Sequence, residues 1–424
     1  MPATFLAKTV GLFMAFTGGS LMPIEAALDY LLARLDESPS SGIGTEEVAL
    51  NQALGSVLAQ AQIAKIDVPT YDNSAMDGFA VNSADLKGLE TQLSVSQTIT
   101  AGAVGAPLQA NTAARIFTGA PIPQGADAVV IQENTRFDNS SVTILENPAA
   151  GKNIRLKGHD IRRGEQVLAA GHKLRPQDMG LLSSLGISSI KIQRPLTVAI
   201  INTGDEIISP DKTLGPGQIY DSNSYTLDAL LQNLGFKTLK LGIVADDLQS
   251  TEQALLEAAT KADCIITTGG VSVGDADYVK KAVENLGELK LWKLAIKPGK
   301  PFSYGSVNTK PFFGLPGNPV AVFVTFVILV RPYLLKMQGA EGATVTELKV
   351  KAGFNITRAS NRQEYIRVKL QNNSLNEQEL QLFENQGSSI MTSLSWADGL
   401  AVVPMDVTIK KGELLSYLPF SGLL

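Results

Sequence analysis

Three apolar runs in the second half of the chain each stop abruptly at a polar loop containing acids. After 196–201 come Asn202, Thr203, Gly204, Asp205 and Glu206; after 238–244 come Asp246 and Asp247; after 264–268 come Gly269, Gly270, Ser272, Asp275 and Asp277. Carboxylates gathered at one edge repel one another unless a cation lies among them. Oxygen ligands suit a hard ion such as magnesium, and glycine amides beside it suit a phosphate. Lys293, Lys297 and Lys300, spaced by prolines and a glycine in WKLAIKPGKPFS, supply the opposite charge and read as anion capture. Asp275 and Asp277 also stand where a helix begins, so each serves equally well as a plain cap. The chemistry open to these residues is charge neutralisation at a phosphoanhydride-like bond, which needs no covalent nucleophile.

Composition narrows the field. Cys264 is the only cysteine, which forbids an intramolecular disulfide and fits a reducing, cytoplasmic compartment. Two histidines, His159 and His172, with that single cysteine exclude a standard zinc site. A net charge of −5 argues against nucleic-acid binding through counterion release. The sequence contains neither G-x-x-x-x-G-K-[ST] nor G-x-G-x-x-G, so a P-loop ATPase and a dinucleotide dehydrogenase are both disfavoured. Residues 320–330, closed by Arg331 and Pro332, are too few to span a bilayer and are expected to form a core helix, with no membrane partner. Residues 1–21 read as a leader whose signal-peptide features are weak: one lysine, and no A-x-A-like cleavage site.

The elements that must hold these loops follow from periodicity. Over 195–344 strands alternate with helices (224–234, 251–259, and one through Val279 and Val283), which predicts a doubly wound parallel α/β domain. In such sheets ligands bind outside the carboxyl ends of the strands. GLPGNP at 314–319 makes a stiff turn into the 320–336 helix. Before this domain, 22–63 with 165–194 read as helices and a connector: an amphipathic helix over 23–35, a second helix over 45–54, and a third over 176–185. Between them, 64–164 has the short runs and turn residues of a small β domain. Three turn-rich loops there carry Asp77, Thr118 and Asp160, the last among Arg155, Lys157, Arg162 and Arg163. Residues 345–424 read as a terminal, barrel-like β domain. Its polar features, Arg367 in a strand and Ser388 in a loop, are by themselves structural.

DNSAMDGFAV, FTGAPIPQGADAVV, INTGDE, GQIYDSN, TTGGVSVGDADY, KLAIKPGKP and GLPGNP, in that order, resemble the MoeA family of molybdopterin molybdenumtransferases, whose eukaryotic relatives include the gephyrin E domain. The resemblance runs from about residue 22 to the C-terminus. It implies an enzyme of molybdenum cofactor biosynthesis that takes adenylylated molybdopterin and molybdate, inserts the metal at the dithiolene and releases AMP, with a divalent cation such as Mg2+. It further implies an elongated homodimer with the site between the α/β domain of one chain and the β domain of the other. MogA-type adenylyltransferases and molybdoenzyme-maturation proteins are the implied neighbours. Carried over by motif are Asp77, Thr118, Asp160, Glu206, Asp246 and Asp277 as catalytic residues, with Glu206, Asp246 and Asp277 as metal ligands. Gly269, Gly270, Ser272, Asp275, Lys293, Lys297, Pro316, Pro319, Arg367 and Ser388 carry over as substrate- or anion-binding. Two alternatives stay open: the preceding step, ATP-dependent adenylylation of molybdopterin, and a non-catalytic scaffold of the gephyrin kind.

Overall fold

The apolar runs of the middle region are buried on both faces, which is what makes them continuous rather than alternating. The computed structural model describes residues 21–37, 43–269, 278–342 and 345–424. In β1 (Thr197–Thr203), Val198 and Ile200 face one core and Ala199 and Ile201 the other. Helix α1 (Asn223–Asn233) returns the chain to β2 (Lys237–Val244), and α2 (Leu248–Lys261) to β3 (Cys264–Thr268). Then come α3 (Tyr278–Leu286), β4 (Gly287–Lys293), β5 (Pro301–Val307), β6 (Lys310–Leu315) and the long helix α4 (Pro319–Met337). The sheet order is β2-β1-β3-β6-β5-β4, with β2, β1, β3 and β6 parallel. Helices α1 and α4 cover one face, α2 and α3 the other. The doubly wound domain is therefore present, and β5 and β6 extend it as an antiparallel hairpin.

Helix α4 is long and apolar enough to cross a membrane, but 83% of its apolar window is buried inside the protein. Its residues share one core with Tyr30 and Leu31 of the Ile24–Glu37 helix and with Leu400 and Leu418 of the C-terminal strands.

A six-stranded sheet forms the β unit before this domain, in the order Ala128–Ile131, Gly78–Val81, Thr112–Ile116, Thr91–Ile99, Ser141–Ile144, Thr135–Phe137. At the C-terminus, Gln363–Asn372 pairs with both Gln378–Leu382 and Gly399–Val403, and Leu348–Ala352 and Leu414–Pro419 complete the ring. The result is a closed five-stranded barrel, which leaves no free sheet edge among its strands.

One expectation fails. The helix expected over 45–54 is a strand, Thr45–Ala49, antiparallel to Ser189–Gln193 and followed by a short 3-10 turn, Leu50–Gln52. Exposure alternates along it, and Val48 packs beside Ile190 and Ile192. A partner strand about 140 residues away overrides the local helical signal of its acids.

Candidate active site

Because β4 is antiparallel to β5 and β5 to β6, β4 runs in the same direction as the parallel strands. Thr203, Val244, Thr268, Leu315 and Lys293 thus all end at one edge of the sheet. The chain leaves β1 toward β2 on one side and β3 toward β6 on the other, so the crevice between the ends of β1 and β3 is the topological switch point.

Glycine keeps that crevice open. Gly269 has φ +82°, and a Cβ on it would stand 3.2 Å from the Thr203 carbonyl oxygen. Across from it, a Cβ on Gly317 would meet only Gly269 Cα, at 3.8 Å. Beneath runs a polar network that sequence reasoning did not single out. Thr268 Oγ1 donates to Asn202 Oδ1 at 2.6 Å, and Asn202 Nδ2 donates to Asp221 Oδ1 at 2.6 Å. Asn223 Nδ2 donates to the Gly317 carbonyl at 2.8 Å. These bonds tie β1, β3, the start of α1 and the 314–319 turn together. The signal for them was the polar content of INTGDE and GQIYDSN, read there only as motif.

The acids flank the crevice. Asp246 N–H donates to Asp205 Oδ1 at 3.3 Å. Desolvation, with the charges of Asp205 and Glu206 acting in the same direction, pushes the Asp246 carboxyl above its ordinary pKa. Its neighbour Asp247 caps α2 instead, with Oδ1 accepting the Ser250 N–H at 2.8 Å. Hydrogen bonds from Ser250 hold the Asp247 carboxyl below the ordinary range. Among the described residues no group of three or more His, Cys, Asp or Glu side chains is gathered as a ready metal cage. The expected third ligand, Asp277, lies outside the described residues, as do Gly270, Ser272 and Asp275.

Farther along the same edge, three strands beyond β3, Lys293 is exposed at the end of β4. Lys297 pairs with Glu364 of the barrel at 2.9 Å, where Ile296–Lys297 runs parallel to Gln363–Glu364. Pro316 is buried, and Pro319 sits in the first turn of α4, where the Val320 N–H donates to the Ser388 carbonyl at 3.0 Å. Arg367, 1% exposed, donates from Nε to Ser393 Oγ at 2.9 Å and from Nη2 to the Gly387 carbonyl at 3.0 Å. Burial pulls its pKa down to about 10. In this chain Arg367 holds the loop that carries Ser388 onto the start of α4.

A second set assembles on the β unit. Asp77 Oδ1 accepts both the N–H and the hydroxyl of Thr118, each at 2.8 Å. Those bonds, the backbone one foremost, hold the Asp77 carboxyl below its ordinary pKa. The 72–77, 117–121 and 153–163 loops are laced into one surface: Gly119 N–H to Ser74 O, Ala75 N–H to Asn153 O, and Lys157 N–H to Asp72 Oδ1 at 2.7 Å. Asp160 is exposed on it. Among the described residues no hydrogen bond or ion pair links this set to the acids of the sheet edge.

Three family models match the chain in order: the MoeA N-terminal region (domain I and II) at residues 22–186, a probable molybdopterin binding domain at 199–336, and the MoeA C-terminal region (domain IV) at 349–420. The molybdopterin molybdenumtransferase of Haemophilus influenzae is 36% identical over 94% of this chain and 99% of its own length. That of Nostoc sp. is 39% identical over 76% of each. The solved molybdopterin biosynthesis MoeA protein of Pyrococcus horikoshii superposes with a TM-score of 0.77 at 32% identity, covering 95% of this chain and 99% of that one. With its switch-point crevice, its barrel and its inserted β unit all accounted for, the chain belongs to the MoeA family of molybdopterin molybdenumtransferases.

Proposed function

We propose that the chain inserts molybdate into adenylylated molybdopterin, releasing AMP and yielding the molybdenum-loaded cofactor. The observation that carries this reading is the glycine-lined switch-point crevice, with carboxylates beside it and lysines farther along the same sheet edge. Gly269 and Gly317 leave the backbone bare where a phosphate approaches. Lys293 and Lys297 neutralise its oxygens or those of incoming molybdate, Lys297 by exchanging its contact with Glu364. Glu206 and Asp246 fit a magnesium ion, since desolvation and, after it, the charges of Asp205 and Glu206 raise Asp246, and a cation relieves both. Asp277 is the expected third ligand. When bound, the ion polarises the phosphate oxygens.

The Asp77–Thr118 pair and Asp160 act, on this reading, across a homodimer at the acid edge of the second copy. A lone buried thiol, Cys264, suits a reducing cytoplasm. The test is AMP release from adenylylated molybdopterin with magnesium, with and without molybdate. Molybdate-dependent release is expected. Conversion of ATP and free molybdopterin instead would assign the preceding step, and a folded protein inactive in both assays would point to a scaffold. Asp77→Ala and Asp246→Asn, each inactive alone, should recover about a quarter of wild-type turnover in randomly mixed two-fold dimers. No recovery in verified mixed dimers would refute the shared site.

A further inference from the structure

On the β unit, next to the Asp77–Thr118 pair, one cation is enclosed by aromatic rings. The guanidinium carbon of Arg115, in the Thr112–Ile116 strand, lies 4.9 Å from the centre of the Phe79 ring and 5.0 Å from those of Phe117 and Phe137. All of these distances fall within the reach of about 6 Å for cation–π attraction. Phe79 and Phe137 also meet edge to face, with centroids 5.1 Å apart. Among the described residues Arg115 forms no ion pair. A half-buried charge without a carboxylate of its own costs desolvation that an apolar side chain in the same box would not. The charge and its donors therefore have a use beyond packing.

The donors go to the surroundings of the pair. Arg115 Nη2 donates to Gln132 Oε1 at 2.7 Å, and Nη1 makes a longer contact with the Gly78 carbonyl at 3.4 Å. Gly78 follows Asp77 in the chain, Phe117 precedes Thr118, and the Gln132 N–H donates to the Asp77 carbonyl at 3.1 Å. Gly78 cannot be replaced without moving the strand beside it, since a Cβ there would stand 1.9 Å from the Val130 carbonyl oxygen. Arg115 thus joins every segment that sets the geometry of the pair. Asp77 Oδ1 is taken up by the Thr118 N–H and hydroxyl, whereas Oδ2 accepts nothing among the described residues and keeps its acceptor sites open.

We infer that Arg115 is a positioning residue of the reaction: it locks Phe117 and Gly78 so that Asp77 turns Oδ1 to Thr118 and presents Oδ2, unspent, to the substrate on the second copy. This rests on the transferase reading above, in which Asp77 acts across the dimer, and it names the acting oxygen and the group that aims it. The charge of Arg115 works in the same direction. The other charged side chains on the segments packed around Asp77 are Glu133 beside Gln132, Asp72, and Arg155, Lys157 and Asp160 on the neighbouring loop. Of all these, Arg115 alone adds to the Thr118 bonds that hold the Asp77 carboxyl below its ordinary pKa.

The probe is the Thr118 amide signal in the full-length protein carrying isotope-labelled threonine, assigned through Thr118→Ser and followed against pH, with AMP release read in parallel. In the parent this amide should report the Asp77 ionisation at a midpoint below the ordinary aspartate range. Arg115→Met fills the ring box without charge or fork. Its midpoint should rise, and kcat should fall about tenfold to a hundredfold, the usual cost of a misplaced group, with KM for adenylylated molybdopterin within about twofold of the parent's. Arg115→Lys keeps a cation among the rings but not the fork, so its midpoint should stay nearer the parent's and kcat should be partly recovered. Phe137→Leu is the packing control: it should lower the melting temperature and leave the amide titration unmoved. A parental titration in Arg115→Met, or an equal displacement in Phe137→Leu, would overturn the assignment and reduce Arg115 to packing. Parental kcat in Arg115→Met with a displaced titration would overturn its part in the reaction. A wild-type protein that releases no AMP yet shows the Arg115-dependent titration would sink the transferase reading and leave the clasp on Asp77 standing.

Discussion

Gly317→Ala separates occupation of the crevice from folding of the chain. The methyl it adds meets only Gly269 Cα, at 3.8 Å, and the backbone at Gly317 is outside the left-handed region. Alanine is thus compatible there, and the reduced freedom of the unfolded chain should stabilise the variant by about 0.4–1 kcal/mol. Gly269→Ala is its counterpart. At φ +82° an L-residue costs about 1–2 kcal/mol, and the new Cβ lies 3.2 Å from the Thr203 carbonyl, a contact that must give. Urea titration should therefore move the two variants in opposite directions. Turnover should fall in both, because each puts a methyl where the substrate phosphate approaches. Overpacking of about 1–3 kcal/mol corresponds to roughly 5- to 150-fold in kcat/KM for AMP release. A Gly317→Ala protein as stable as the parent and turning over at the parental rate would remove the crevice from the reaction. A loss of activity that tracked a loss of stability would refute the packing argument instead.

Three further outcomes are expected. Thr118→Ala leaves Asp77 only the backbone donor, so its depressed pKa rises, and the acid limb of the pH–rate profile should move to higher pH; an unmoved limb would mean Asp77 ionisation is not used. Asp246 has a raised folded pKa, so its ionised form opposes folding as pH rises past its unfolded value. Asp246→Asn should accordingly melt higher than the parent at neutral pH without magnesium, with the gap closing in acid, while its magnesium requirement increases; a lower melting temperature at neutral pH would contradict the repulsion. Arg367→Met removes both guanidinium bonds and leaves the Gly387 carbonyl only the long Ile390 N–H bond at 3.3 Å, costing about 1–3 kcal/mol, partly offset by loss of a buried charge. Arg367→Lys should not restore stability, since an ammonium cannot reproduce the guanidinium fork to Ser393 and Gly387; full rescue by lysine would show that the fork is dispensable.

The parallel core was legible because burial on both faces writes uninterrupted runs: 264–268 was read at its observed bounds. The β5–β6 hairpin was not. Its turn is Asn308–Thr309, both at positive φ, and a threonine in place of the usual glycine hides the turn from any reading by residue type. The strand Thr45–Ala49 was hidden for another reason, its partner being distant in sequence.

The candidate site divides along the same line. Motif matching treats a residue type at a position as a role, yet Asp246 and Asp247, adjacent and identical, do opposite things. Asp247 has extended backbone angles, φ −137° and ψ 156°, and its carboxylate closes on the Ser250 N–H, so its charge is spent on the first turn of α2. Asp246, one residue earlier, has no helix to cap and is left facing Asp205 and Glu206. The helix start decides which acid is structural, and it leaves to the other the repulsion that a cation could relieve. The same test applies to Arg367: a cation matched to an anion-binding motif is, by its burial and its two donors, first of all the support of a loop. Which acids remain uncommitted after the fold has used the others is a property of three-dimensional hydrogen bonding, and it is there that the chemistry of this edge is determined.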